Sequence, residues 1–106
     1  MPTQEENQFH QAMVDLYHRA KDEAGYNATR YLQMVANNGG VETTRNLINS
    51  DAPADGYTEL YLQGRLDLTV EALVVENEQW QSLFDPAEIE KARQRLKEYW
   101  YNPRAP

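Results

Sequence analysis

The chain has 106 residues, the length of one ordinary domain, and a chain of this size can bury a single hydrophobic core. It contains no cysteine, which excludes disulfides, thiolate metal sites and a cysteine nucleophile. A net charge of −7, from 17 acidic and 10 basic residues, disfavours non-specific binding to nucleic acid. The polar N-terminal segment does not resemble a secretory signal, and the longest apolar run is far too short to cross a membrane. We therefore expect a cytoplasmic protein.

The N-terminal segment predicts a long first helix, to about Glu23. Thr3 and Glu6 have the spacing of a capping box, in which each side chain accepts a hydrogen bond from the backbone N–H of the other residue. Gly25 is expected to end the helix in the left-handed conformation. Apolar residues recur at helical spacing between these ends, at Phe9, Ala12, Met13, Leu16, Tyr17, Ala20 and Ala24.

Two shorter helices follow. Asn27 is a natural N-cap for a second helix over residues 28–37, because its side chain can accept from the first free amides. Residues 38–40, which include Gly39 and Gly40, are expected to end that helix in a tight turn. A glycine turn before a helix can also hold an anion on free N–H groups, but we favour the turn. A third helix is predicted over residues 41–48, and a turn-rich loop over residues 50–53.

The middle of the chain predicts a fourth helix, from Asp55 as N-cap through Leu62, with Gly64 as its stop. Residues 66–70 alternate like a strand, but no second strand is available to pair with them. We therefore predict that Asp67 or Thr69 caps a fifth helix, which continues to about residue 76. Residues 80–84 are expected to form a helical turn that lies on the core.

The last helix has the clearest local pattern. Asp85 is the predicted N-cap, Pro86 occupies the first helical position, and Glu88 completes a capping box. Phe84 and Ile89 occupy the positions of a hydrophobic staple, and the helix is expected to run on to about residue 100. The predicted fold is all-α, a compact orthogonal bundle of five to six short helices in one domain over residues 1–101. Residues 102–106 are expected to form a flexible tail.

No complete chemical motif is present, so we expect no cofactor and no metal. The sequence lacks a phosphate-binding glycine loop, a His-Glu-x-x-His motif and a calcium loop. Asp15, His18 and Asp22 share one helix face, which could hold a divalent ion or orient a general base. We favour a solvated face there, because the surface of a single helix lacks the enclosure of a binding site.

A nucleic-acid-associated module is one alternative function. The second and third helices, joined by a glycine turn, could form a helix-turn-helix with Arg45 on the reading helix. Arg93 and Arg95 add positive charge on the last helix. The basic residues of that helix are spread around it and the domain is acidic, so we do not expect nucleic acid as a partner.

Two arginines lie among aromatic and aliphatic residues, Arg30 and Arg65. Such an arginine either joins parts of the fold through a paired guanidinium or binds an external carboxylate or phosphate. We favour the structural role for both, with Asp67 or Glu71 as the predicted partners.

A resemblance covers most of the chain, roughly residues 26–99. It rests on the stretches YNATRYLQMV, GGVETTRNLI, DGYTEL and GRLDLTVEALV, followed by LF and AR-x-RL. Together they resemble a segment that recurs in small, uncharacterised bacterial proteins, although Tyr61 stands where that pattern has a tryptophan. The resemblance implies a module that stands alone or is appended to larger proteins, with a helper or recognition role. It carries no catalytic residue over to this chain.

These observations predict an interaction module, an adaptor or regulator that binds another protein or a small anionic ligand. Tyrosine and arginine are over-represented at binding hot spots. The candidate binding residues are accordingly Tyr26, Arg30, Tyr31, Tyr57, Tyr61 and Arg65. A small enzyme centred on Arg65, Asp67 and Glu71 is a third alternative, but we favour a non-catalytic role.

Overall fold

The computed structural model describes residues 3–103, and these residues form seven α-helices and one short 3₁₀-helix, without any strand. The helices are α1 (Gln4–Ala24), α2 (Thr29–Asn38), α3 (Gly40–Asn49), α4 (Asp55–Leu62), the 3₁₀-helix (Leu66–Leu68), α5 (Val70–Val75), α6 (Glu78–Gln81) and α7 (Pro86–Glu98). The predicted all-α bundle is confirmed. The additional helix is α6, which the sequence predicts as a turn. Part of the predicted tail, residues 104–106, lies outside the described residues.

The ends of the long first helix are as the sequence predicts. The Glu6 N–H donates to Thr3 Oγ1 at 3.1 Å, and the Thr3 N–H donates back to Glu6 Oε1 at 3.4 Å. Gly25 follows the last residue of α1 with φ 65°, the left-handed conformation that stops the helix. At α7, Pro86 is the first helical residue and the Asp85 N–H donates to Glu88 Oε1 at 3.0 Å.

The predicted cap of α2 is wrong. The helix begins at Thr29, with Ala28 in the N-cap position and no side chain accepting from its first amides. Asn27 lies one residue before the N-cap position, and its Oδ1 accepts a hydrogen bond from the Tyr17 hydroxyl at 2.7 Å. The N-terminal amides of α2 are therefore left without a side-chain acceptor.

The caps of α4 and α5 also differ in part from the prediction. Asp55 is the first residue of α4 and not its N-cap, which is Ala54. Of the two predicted caps for α5, Thr69 is the one used, and its Oγ1 accepts from the Ala72 N–H at 3.2 Å. Asp67 lies in the 3₁₀-helix and forms an ion pair instead.

Helix α1 contacts α2 and α3, and its buried residues share the main core with residues of α5, α6 and α7. Phe9 is fully buried and packs edge-on against Trp80 and Phe84, with ring centroids 5.4 Å away in each case. Gly40 permits the close approach of α3, since a Cβ at this position would lie 2.9 Å from His10 Cα. Besides forming a turn, the glycine pair thus lets α3 pack directly on the backbone of α1.

The C-terminal end of α7 carries an unusual residue. Trp100 has φ 60°, the left-handed conformation, and its side chain is exposed, with an accessibility of 83%. The Tyr101 N–H donates to the Leu96 carbonyl at 2.9 Å, and the Trp100 N–H donates to the Lys97 carbonyl at 3.0 Å. This is the helix-ending motif that usually has glycine at the left-handed position.

Candidate functional site

A cavity of about 560 Å³ lies between α2 and α4, and residues of α1, α3, the 3₁₀-helix and α5 complete its walls. This volume is in the range of small-molecule binding sites. Four of the six candidate binding residues line it, namely Tyr26, Arg30, Tyr31 and Tyr57. The structure therefore brings together most of the residues that the sequence singles out, from two separate segments of the chain.

The other two candidates lie elsewhere. Tyr61 packs against the ring of Tyr99, with a centroid distance of 5.0 Å. Arg65 donates from Nε to Asp67 Oδ1 at 3.0 Å and from Nη2 to Glu23 Oε1 at 2.6 Å. The predicted structural pairing of Arg65 with Asp67 is confirmed, and Glu23 at the end of α1 is a further partner.

The electrostatics of this cluster agree with a structural role. Hydrogen bonds from Arg19 and Arg65 lower the pKa of Glu23 to about 2. The Arg65 side chain is 30% exposed, so solvent screens the charges of this cluster. Its ion pairs therefore contribute only modestly to the free energy of folding. Arg65 thus joins the end of α1 to the 3₁₀-helix and does not face the cavity.

The predicted structural pairing of Arg30 is wrong. Arg30 is exposed, and it makes no hydrogen bond or ion pair with any residue of the described range 3–103. The acids predicted as its partners are occupied by other arginines, because Asp67 pairs with Arg65 and Glu71 pairs with Arg95. Within residues 3–103, Arg30 is left without an ionic partner at the rim of the cavity, which is defined here by its two exposed lining residues, Arg30 and Asp55.

The rim combines Arg30 with the N-terminal turn of α2. Ala28, Arg30 and Tyr31 all line the cavity, and the first turn of α2 contains no acidic residue. Uncapped amides at the start of a ten-residue helix carry a partial positive charge. Asp55 is the other exposed residue of the rim, and its position in the first turn of α4 offsets its charge in part. Burial, with Asp55 and Glu59 nearby, raises the pKa of the Tyr26 phenol, and Arg30 opposes this effect.

The floor of the cavity is mostly apolar. Its buried residues are Leu16, Ala20, Ala28, Tyr57, Leu60, Leu68, Thr69, Val70 and Glu71. Among them Glu71 is the one charged residue, and its side chain is 4% exposed. Burial raises the pKa of its carboxyl group, against the opposing effects of its own backbone amide and of Arg95.

Arg95 is a candidate for nucleic-acid contact only under the alternative function, and the structure does not place it for that role. It is buried and donates to Glu71 Oε2 at 3.1 Å, to the Leu47 carbonyl at 3.0 Å and to the Ser50 carbonyl at 2.6 Å. Its position three residues after Ala92, which is buried, could have indicated that it lies on the inner face of α7. Arg95 joins α7 to α5 and to the end of α3.

The tyrosines of the cavity differ in what their hydroxyls do. Tyr31 donates to the Met13 carbonyl at 2.7 Å and Tyr57 donates to the Arg95 carbonyl at 3.2 Å, and burial raises the pKa of both phenols. Tyr26 has no hydrogen-bond partner within residues 3–103, and its ring lies against Gly56, where a Cβ would be 3.1 Å from the hydroxyl oxygen. The Tyr26 hydroxyl is therefore available to a ligand.

The other basic candidates have partners within the protein. Arg45 donates to the Leu83 carbonyl at 3.2 Å and lies 3.5 Å from Glu88, while Arg93 pairs with Glu90 at 2.6 Å. In the part of the chain that the structure describes, no three histidine or acidic side chains form a group that could hold a metal ion. Asp15, His18 and Asp22 are among the described residues and do not form such a group.

No family model, curated protein or solved structure matches this chain. Over the described residues, none of the helices combines the length and the apolar character needed to cross a membrane.

Proposed function

We propose that this protein is a small-molecule-binding module whose cavity takes a ligand with an apolar body and an anionic group such as a carboxylate. The observation that carries the proposal is the unpartnered Arg30 beside the uncapped first turn of α2, at the rim of a largely apolar cavity. Of the two occupants that the sequence predicts, another protein or a small anionic ligand, the cavity volume of about 560 Å³ supports the small ligand.

The apolar floor supplies affinity. Side chains such as Leu16, Leu60 and Leu68 line the cavity, and removing apolar ligand surface from water contributes about 25 cal/mol per Å². A linear or ring-shaped hydrocarbon body therefore gains from entering the cavity. This hydrophobic contribution to the binding free energy is the same for a neutral and an anionic ligand of equal apolar area.

The rim supplies selectivity for charge. A guanidinium–carboxylate hydrogen bond is stronger than a neutral one, and the free amides at the start of α2 add to the attraction for an anion. Asp55 opposes an anion to some degree, because it also lies at the rim. The two rim charges allow the sign of the preference to be tested directly.

The test compares decanoate with decanol, which differ at the charged end, by calorimetry below the concentration at which decanoate forms micelles. Arg30→Gln should weaken decanoate binding about tenfold, or about 1.4 kcal/mol, and leave decanol within about twofold. Asp55→Asn should strengthen decanoate binding. Arg93→Gln is the matched control, because Arg93 is also an exposed arginine but does not line the cavity.

Two results would overturn the proposal. One is the absence of decanoate binding to the unmodified protein at millimolar ligand. The other is an equal loss of decanoate binding in Arg30→Gln and Arg93→Gln, which would show that only the net charge of the protein matters.

A further inference from the structure

The Tyr26 ring forms part of the cavity wall. Tyr26 lines the cavity and packs against a small apolar cluster of Ala20, Leu60 and Leu68, three residues that belong to the cavity floor. Its ring also lies against Gly56 of α4, where a Cβ would be 3.2 Å from Tyr26 Cε2. Because Gly56 has no side chain, the ring approaches the backbone of α4 directly, and these contacts hold it in the wall.

Arg30 lies close to this ring. Burial raises the pKa of the Tyr26 phenol, and the positive charge of Arg30 opposes the rise, an effect that falls off with distance. Both residues line the cavity, Tyr26 from the loop before α2 and Arg30 from the first turn of that helix. The cavity wall therefore presents an aromatic ring beside a cation that has no ionic partner within residues 3–103.

Tyr26 differs from the other two tyrosines of the cavity. The hydroxyls of Tyr31 and Tyr57 donate to backbone carbonyls of α1 and α7, which ties both rings into the packing of the helices. Tyr26 makes no such hydrogen bond within the described range, and it is only half-buried. A ligand can therefore cover the exposed part of the Tyr26 side chain without breaking a hydrogen bond of the fold.

Aromatic rings attract one another in offset-stacked and edge-to-face arrangements, beyond the effect of the surface that they bury. We propose that Tyr26 selects an aromatic ligand, an aryl carboxylate whose ring packs against the Tyr26 ring while its carboxylate binds Arg30. The proposal rests on the function proposed above, because it takes the anionic group to be held at the rim. It narrows the apolar body of the ligand to a ring system attached close to the carboxylate, since Tyr26 and Arg30 are neighbours in the wall.

The test compares 2-naphthoate with trans-decahydro-2-naphthoate, which share the carboxylate and the fused-ring skeleton and differ in aromaticity. The saturated acid carries more hydrogens and thus more apolar surface, so a cavity that responds to apolar area alone should bind it at least as tightly. We expect the reverse in the unmodified protein, with 2-naphthoate binding about fivefold more tightly by calorimetry. In the same complex, nuclear Overhauser effects should connect the naphthalene protons with the Tyr26 ring protons.

Two substitutions assign the preference to the Tyr26 ring. Tyr26→Leu should abolish it, so that 2-naphthoate no longer binds more tightly than the saturated acid, whereas Tyr26→Phe should keep it because the ring is retained. Tyr61→Leu is the matched control, since Tyr61 is also half-buried but packs on Tyr99 and does not line the cavity. Circular dichroism checks the folding of each variant, and the Overhauser effects in the unmodified protein do not depend on any variant.

The possible failures are distinguishable. The inference about Tyr26 is wrong if the unmodified protein binds the saturated acid as tightly as 2-naphthoate, or if 2-naphthoate shows no Overhauser effect to Tyr26. It is also wrong if Tyr26→Leu keeps the preference or Tyr26→Phe loses it. In each of these cases the proposed function stands as long as decanoate binding depends on Arg30. If neither naphthoate, nor its saturated form, nor decanoate binds, both proposals fail.

Discussion

Replacing Arg95 by methionine should be among the most damaging single substitutions in this protein. The change removes the partner of Glu71 and the donors to the carbonyls of Leu47 and Ser50, while it keeps a side chain of similar length. The side chains of the pair are 9% and 4% exposed, so solvent screens them little. Removing one partner of a buried pair costs about 3–5 kcal/mol, a large share of the roughly 5–15 kcal/mol that stabilises a domain.

Urea denaturation followed by circular dichroism measures this loss, and its pH dependence identifies the cause. Burial already raises the pKa of Glu71 above 4.5, and loss of Arg95 should raise it further. An acid with a raised pKa in the folded state stabilises the fold below its unfolded pKa, and this contribution is lost as the pH rises through the folded pKa. The deficit of Arg95→Met should therefore be smallest near pH 4.5, where only the loss of the two carbonyl donors remains, and largest at neutral pH.

The double variant Glu71→Gln, Arg95→Met is the control. It removes the uncompensated charge but leaves the two carbonyls without their donor, so it should recover part of the loss and be nearly independent of pH. A loss below about 1 kcal/mol at neutral pH in the single variant, or a deficit that does not shrink on acidification, would refute this account of the buried pair.

Two further substitutions test the backbone. Trp100→Gly should stabilise the protein by about 1 kcal/mol, because glycine adopts the left-handed conformation without the cost that tryptophan carries, whereas Trp100→Ala should not, and equal midpoints in urea for these two variants would contradict the assignment. Gly40→Ala should destabilise by about 1–3 kcal/mol, since its Cβ would lie 2.9 Å from His10 Cα, and a melting temperature unchanged from that of the parent would mean that α3 can move away freely.

The sequence predicts best those features that depend on neighbouring residues. The Thr3–Glu6 capping box, the stop at Gly25 and the start of α7 at Pro86 are all confirmed, because each depends on residues within one turn. The cap of α2 is wrong for a non-local reason. Asn27 has the right side chain, but the helix begins one residue too late for it to be the cap, and its Oδ1 accepts from the Tyr17 hydroxyl, ten residues earlier.

The candidate site shows the same difference between features that neighbouring residues determine and features that depend on helix packing. Arg30 and Arg65 have similar surroundings in the sequence, yet Arg65 finds Asp67 two residues away and Glu23 from a position 42 residues distant, whereas Arg30 finds no partner within the described chain. Whether each arginine finds an acidic partner depends on how the helices pack. The local spacing of residues does not determine that packing. Residue type alone was enough to select four of the residues that line the cavity.

The hydrogen bonds that hold side chains of the cavity wall bear on the thermodynamics of the proposed ligand binding. Tyr31 is held by the carbonyl of Met13 in α1, Tyr57 is held by the carbonyl of Arg95 in α7, and Glu71 is held by the Arg95 guanidinium. Immobilising a free side chain on binding typically costs about 0.5–1.5 kcal/mol. Tyr31, Tyr57 and Glu71 are already immobilised in the folded protein, so a ligand does not have to order them. The entropy lost on association should then come mainly from the ligand and from Arg30, so a rigid ligand gains affinity over a flexible one of equal area.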